Sequence, residues 1–177
     1  MSEWIKAMNP TAPIATEPEA VRAARASAIA IFLGVAWGVL GIAILLATGS
    51  AAIEAAMAQA AADSPEVAGM TGAMTQIALW GAIGVTIIQL VLGLVQWTRP
   101  NIVIPIIFLI LVLYGLVTSV YGLSMMGSPD IPEAARTPMW QIALGLIILV
   151  IQLVMHIAGI RGARALDKLR VDAAQNY

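Results

Sequence analysis

The sequence predicts an all-α integral membrane protein, a bundle of four transmembrane helices with both termini in the cytoplasm. Three observations predict this fold. The 177 residues are 60% hydrophobic and 11% charged, against about 45–50% and about 25% in soluble domains. Four long apolar stretches contain no Asp, Glu, Lys or Arg. The basic residues gather on one side of those stretches, which orients the bundle.

Four transmembrane spans are predicted, at residues 26–48, 73–98, 101–126 and 138–160. Each is long enough, because about 20 apolar residues cross the hydrocarbon core of a bilayer. A cytoplasmic segment, residues 1–25, precedes the bundle. A basic cytoplasmic tail, residues 161–177, follows it, and its basic residues are expected on a helical extension of the fourth span. No room remains for a sizeable soluble domain.

The distribution of Lys and Arg sets the orientation. The side predicted to be cytoplasmic carries Lys6, Arg22, Arg25, Arg99, Arg161, Arg164, Lys168 and Arg170. The other side carries Arg136 alone among the basic residues, together with Glu54, Asp63, Glu66, Asp130 and Glu133. The positive-inside rule then predicts a multi-pass protein of the inner (plasma) membrane, N-in and C-in.

The N-terminal segment contains a helix start. Thr16 and Glu19 have the spacing of a capping box, with Pro18 in the first turn, so the first long helix is expected to begin near Thr16 and run some turns before it enters the membrane. Residues 1–15 place Trp4 and Ile5 on one helical side. That segment is either a short interfacial helix or an irregular tail.

The second and third spans are joined by the short segment 97–101, so we expect them to be antiparallel neighbours in a tight hairpin. A weak internal repeat accompanies this order. Residues 76–79 and 141–144 are both Gln-Ile-Ala-Leu, and residues 88–91 and 151–154 are both Ile-Gln-Leu-Val. Two tandem hairpins would explain the match, and so would the general likeness of apolar segments.

Small and polar residues mark the faces expected to pack in the bundle, because lipid tails supply no hydrophobic drive between helices. The residues predicted to form these faces are Gly34, Gly38, Gln89, Gly93, Gln96, Gly115 and Ser119. Close helix packing with cross-helix glutamine hydrogen bonds is the favoured interpretation. A polar path for a solute is the alternative.

His156 is the single histidine, and it lies in the fourth span. One imidazole could serve as an axial haem ligand, although haem held between helices usually takes two such ligands. A hydrogen bond to a neighbouring helix is the more common role, so no cofactor and no metal are expected. Cysteine is absent, which excludes thiolate sites and disulfides.

The pattern disfavours several functions. No ionisable residue other than His156 lies in a span, whereas ion-coupled transport needs a group whose charge changes. Catalytic motifs and a basic nucleic-acid surface are absent too. We therefore expect a non-catalytic bacterial inner-membrane protein, an accessory or structural subunit or a homo-oligomer, with membrane lipids and other transmembrane subunits, or itself, as partners. The alternative is a small channel or facilitator for a neutral or small solute.

Overall fold

A computed structural model describes residues 3–48, 71–125 and 136–175, and these ranges contain helices and no strand. The helices are α1 (Glu3–Met8), α2 (Glu17–Thr48), α3 (Thr71–Thr98), α4 (Val103–Met125) and α5 (Met139–Gln175). Within these ranges, α2 to α5 are each long and apolar enough to cross a membrane, which indicates a multi-pass membrane protein. The predicted outer loops, with Glu54, Asp63, Glu66, Asp130 and Glu133, lie outside the described residues.

Local hydrogen bonds set the helix starts. The Glu19 carboxylate accepts the backbone N–H of Thr16 at 3.2 Å and that of Ala15 at 2.9 Å, the reach-back that the capping-box spacing predicts. Asn101 caps α4 in the opposite direction, since its Oδ1 accepts the N–H groups of Val103 and Ile104 in the first turn, both at 3.0 Å. Backbone N–H groups at the starts of both helices are thereby satisfied.

The helix α2 lies at the centre of the bundle and packs against both α3 and α5, while α4 packs against α5. The expected tight hairpin of α3 and α4 forms only at its turn. There, Ile31 of α2 packs with Ile104 and Phe108 of α4, and Leu92 of α3 packs against them. Beyond this cluster α3 and α4 make little contact over their described residues, because the small face of α3 is turned to α2.

The helices α2 and α5 approach most closely along a seam of small residues. Ala20, Ala23 and Ala24 of α2 are buried, as are Gly159 and Gly162 of α5. A Cβ atom on Gly159 would lie 2.5 Å from Ser27 Cβ, and one on Gly162 would collide with the backbone of Ala24. Such close backbone packing is how membrane helices associate without a hydrophobic drive.

The basic tail begins as the expected helical extension, since α5 runs unbroken to Gln175. Its Gly162, Ala163 and Leu166 are buried against the first turns of α2, and Arg170 Nε lies 3.2 Å from Glu17 Oε1. We call this end of the bundle, with the starts of α2 and α4, the basic end.

The first helix, α1, packs against the basic end. The Trp4 ring stacks on Trp97 with centroids 6.0 Å apart, and the Arg25 guanidinium lies 5.0 Å from the Trp97 ring centroid on α3. Arg25 Nε also donates to the Trp97 carbonyl at 3.0 Å. A Lys6–Glu19 ion pair of 2.8 Å adds a second attachment. Residues 3–8 are therefore a helix docked on the bundle, and the irregular segment is limited to residues 9–16.

Candidate functional site

Gly34 is where two glutamines from neighbouring helices meet α2. A Cβ atom on Gly34 would lie 2.7 Å from Gln152 Nε2 and 3.8 Å from Gln89 Oε1. Gln152 is buried, and its Nε2 donates to the Ala30 carbonyl at 3.0 Å. In an α-helix that carbonyl also accepts the Gly34 N–H, so the missing side chain at Gly34 opens the carbonyl to a second donor.

The α2–α3 contact also depends on glycine. A Cβ atom on Gly38 would lie 3.0 Å from Thr86 Oγ1, and one on Gly93 would lie 2.7 Å from the Phe32 ring. Thr86 donates to the Ala82 carbonyl of its own helix at 2.8 Å, so its hydroxyl is satisfied. Gly38 and Gly93 therefore set the approach of α3 to α2.

Gln96 has a structural role at the turn. It is fully buried, and its Nε2 donates to the carbonyls of Ala24 at 3.2 Å and Asn101 at 3.1 Å. Its Oε1 accepts the Asn101 N–H at 3.3 Å. One amide therefore ties α2 to the α3–α4 turn.

Two cavities flank Trp37 in the part of the bundle beyond Gly34. The first, of about 430 Å³, lies between α2, α4 and α5, and the second, of about 420 Å³, lies between α2 and α3. Both are lined by Gly34 and Trp37. Ser119 lines the first cavity, and Gln89 the second. Gly115 lies apart from both, where it packs on Leu149 of α5.

Polar side chains face these cavities without partners of their own. In the part of the chain that the structure describes, the side chains of Gln89, Ser119 and Gln141 form no hydrogen bond. An amide or hydroxyl in an apolar environment without a partner costs about 1–3 kcal/mol by mutational measures. These three side chains are half-buried, so a molecule in the cavities that supplies hydrogen-bonding groups would be favoured.

His156 lies below the cavities, toward the basic end, and is fully buried. A hydrogen bond of 2.7 Å joins its Nδ1 to Ser27 Oγ, and Phe108 stacks on the imidazole with ring centroids 5.7 Å apart. Nε2 is buried and has no partner among the described residues. Both nitrogens are enclosed, so a haem iron could not reach either one unless the side chain left this packing.

The sequence-predicted residues are thus brought together in part. Gly34, Gly38, Gln89, Gly93 and Gln96 share the α2–α3 contact, whereas Gly115 and Ser119 lie on α4. Gln141, Gln152, Trp37 and Gly145 line the first cavity and were missed. The repeated Ile-Gln-Leu-Val tetrapeptide was the available signal, because it pairs Gln152 with Gln89.

The arrangement brings neutral hydrogen-bonding side chains and an indole ring to the same spaces. No group of three or more His, Cys, Asp or Glu side chains that could hold a metal ion occurs within residues 3–48, 71–125 and 136–175. The polar groups of the cavities are neutral amides and hydroxyls, with Arg136 at the end of the first cavity. Comparison of the chain with models of known protein families, with curated proteins and with solved structures finds no match.

Proposed function

We propose that this protein is a non-catalytic subunit of the bacterial inner membrane that acts by helix–helix association, with α4 as the helix that binds another transmembrane helix. The observation that carries the proposal is the position of Tyr114. Its side chain is 69% exposed at the twelfth of the 23 residues of α4, on the side turned away from the bundle.

The two sides of α4 differ in their contacts. Ile104, Phe108 and Val112 are buried toward the bundle. The opposite side, which we call the Tyr114 face, consists of Ile107, Ile110, Tyr114, Val117, Thr118 and Tyr121, all exposed. These residues recur at three- and four-residue intervals and so form one continuous stripe along the helix. This stripe is the right shape for a second helix.

The chemistry of Tyr114 favours protein over lipid at this stripe. Tyrosine in membrane proteins is enriched at the headgroup level, where its hydroxyl is hydrated. Tyr114 lies mid-span instead, and its hydroxyl forms no hydrogen bond to any described residue. A helix packed on the Tyr114 face could supply an acceptor, and interhelical hydrogen bonds of this kind contribute about 1 kcal/mol each.

The orientation of the bundle is part of the proposal. We place the basic end in the cytoplasm and Arg136 on the opposite side of the membrane. The asymmetry of Lys and Arg supports this orientation,. The docked α1 and the continuation of α5 would then face the cytoplasm together with Arg22, Arg25 and Arg99.

A photocrosslinking experiment tests the Tyr114 face. The photoreactive residue p-benzoyl-phenylalanine replaces Tyr114, and cells are irradiated before membranes are solubilised. We expect one or a few discrete crosslinked protein products. The matched control replaces Val91, which is 52% exposed on the outer side of α3 and should yield none. Equal crosslinking at both positions, or adducts with lipid alone at Tyr114, would contradict the proposal.

A second experiment separates self-association from binding to another subunit. The chain is free of cysteine, so a single cysteine reports on one position. Ile110→Cys and Val91→Cys lie at the same distance from the α3–α4 turn and are 61% and 52% exposed. Disulfide dimers from Ile110→Cys alone would identify a second copy as the partner. Crosslinks at Tyr114 without such dimers would identify a different subunit.

The alternative function, passage of a neutral or small solute, is supported by the two cavities and by the unpartnered Gln89 amide. The packing of the basic end opposes it, since His156 and Ser27 are buried there and the Gly159–Gly162 seam brings α5 into close contact with α2. Solute flux in liposomes would compare the wild type with Gln89→Leu. Flux that falls in the variant would favour this alternative, and flux that is absent from both would remove it.

A further inference from the structure

The cavity between α2, α4 and α5 combines an apolar wall with a few polar groups. Trp37, Leu123, Ile148 and Leu149 form the wall, and the amides of Gln141 and Gln152 face the same space. Small-molecule sites in proteins have this composition and enclose about 300–1,000 Å³. With a volume of about 430 Å³, the cavity is large enough for a compact organic ligand.

The polar groups of the cavity favour a hydrogen-bonding occupant. Gln152 Nε2 is engaged by the Ala30 carbonyl, whereas the Gln141 and Ser119 side chains have no partner in the described part of the chain. A hydrocarbon chain of a lipid could fill the space but would leave these two side chains unsatisfied. A hydroxyl or carbonyl group on the occupant would satisfy them.

The charge of the lining indicates a neutral occupant. Arg136 is the one charged side chain among the described residues that line the cavity, and it is exposed and precedes α5. The deeper lining consists of neutral amides and hydroxyls that can both donate and accept. A buried ion without a counter-charge is far more costly than a buried hydroxyl.

We propose that this cavity binds a neutral, lipid-soluble molecule whose hydroxyl or carbonyl group hydrogen-bonds to Gln141 and Ser119 and whose apolar body packs against Trp37. Such a molecule can enter from the bilayer, because α4 contacts α5 but diverges from α3 over their described residues. The site lies on the inner side of α4 and is separate from the Tyr114 face, so it stands or falls independently of the helix-association proposal.

The test uses a photoactivatable medium-chain alcohol that carries a diazirine, together with its carboxylate and hydrocarbon counterparts. The purified protein is reconstituted in liposomes, irradiated with each probe, and the labelled residues are mapped by mass spectrometry. We expect the alcohol to label the residues around Trp37 in a saturable manner that unlabelled alcohol competes away. The carboxylate and the hydrocarbon should label them weakly.

Two pairs of variants give the test its controls. Gly122 lines the cavity and a Cβ atom there would meet no atom within 4 Å, so Gly122→Leu should fill the space and abolish saturable labelling. A Cβ atom on Gly84 would also meet no atom within 4 Å, but Gly84 lines neither cavity, so Gly84→Leu should leave the saturable labelling unchanged. Gln141→Leu should weaken labelling about fivefold, as expected for one lost hydrogen bond. Gln76 is exposed on α3, so Gln76→Leu should leave labelling unchanged.

Three results would overturn the proposal. Labelling that does not saturate, or that persists in Gly122→Leu, would show that the probe only samples the bilayer. A preference for the carboxylate would contradict a neutral ligand. If Gly122→Leu fails to fold, as judged by its thermal unfolding, the comparison of Gln141→Leu with Gln76→Leu decides, and equal labelling of these two would reject the site.

Discussion

Gly34 and Gln152 are in direct contact across the α2–α5 interface. A Cβ atom on Gly34 would lie 2.7 Å from the Gln152 amide nitrogen, which donates to the Ala30 carbonyl at 3.0 Å. Because Gly34 has no side chain, the Gln152 side chain of α5 can reach the backbone of α2. The same contact borders both cavities, because Gly34 lines each of them.

Gly34→Ala should destabilise the bundle by about 1–2 kcal/mol, since Gln152 has to move and its hydrogen bond to Ala30 is lost. The measurement is the midpoint of thermal unfolding in a mild detergent. Gly41→Ala is the control, because a Cβ atom there meets nothing within 4 Å, and it should be neutral or slightly stabilising. Equal shifts in the two variants would show that Gln152 is not held through Gly34.

Gly162→Ala should be more damaging, with a loss of about 3 kcal/mol or more, because its new methyl group meets backbone atoms of Ala23 and Ala24 that cannot rotate away,. The same unfolding assay compares it with Gly122→Ala, where the added methyl group meets no atom within 4 Å. The expected order of damage is Gly162, then Gly34, then Gly122. A Gly162→Ala variant of unchanged stability would contradict the close α2–α5 seam.

Ser27→Ala should cost about 1–3 kcal/mol, because it leaves the buried Nδ1 of His156 without its partner,. A double-mutant cycle with His156→Leu isolates the pair, and the double variant should lose less than the sum of the single losses. Ser124→Ala, at an exposed hydroxyl, provides the control. Strict additivity in the cycle would mean that the Ser27–His156 contact carries no coupling.

Trp97→Leu should release α1 from the basic end, because it removes the ring on which Trp4 stacks and over which the Arg25 guanidinium lies. Amide hydrogen exchange over residues 3–16 should become faster, while exchange in the buried seam of α2 stays slow. Trp80→Leu, where the indole is 66% exposed, should leave α1 protected. Unchanged exchange in Trp97→Leu would show that the ion pairs Lys6–Glu19 and Glu3–Arg22 alone hold α1.

The proposed orientation predicts opposite accessibility at the two ends of the bundle. In intact cells a membrane-impermeant maleimide should label Thr137→Cys, whereas Thr98→Cys should be labelled only after permeabilisation. Both positions are exposed in the structure, so a difference in labelling would report on the membrane and not on burial. The reverse pattern would place the basic end outside the cytoplasm.

The sequence predicted the local features correctly where a short-range rule governs them. Thr16 and Glu19 predicted the start of α2, and the capping hydrogen bonds are present. The packing of the helical extension of α5 was less predictable. A run of Arg and Lys after Ile160 is typical of a solvated helix, yet Gly162, Ala163 and Leu166 continue the packed face against α2. Charges on one side of a helix do not reveal what its other side contacts.

By itself the sequence determined the helical class and the number of long apolar segments in the described chain, because only a helix of about 20 apolar residues satisfies its own backbone hydrogen bonds within a bilayer. The tertiary structure decided which small residues matter. Gly159 and Gly162 touch the backbone of α2, whereas Gly41, Gly84 and Gly122 face open space. The physical reason is that a glycine permits another helix to approach closely, but which helix does so depends on residues that are distant in the sequence.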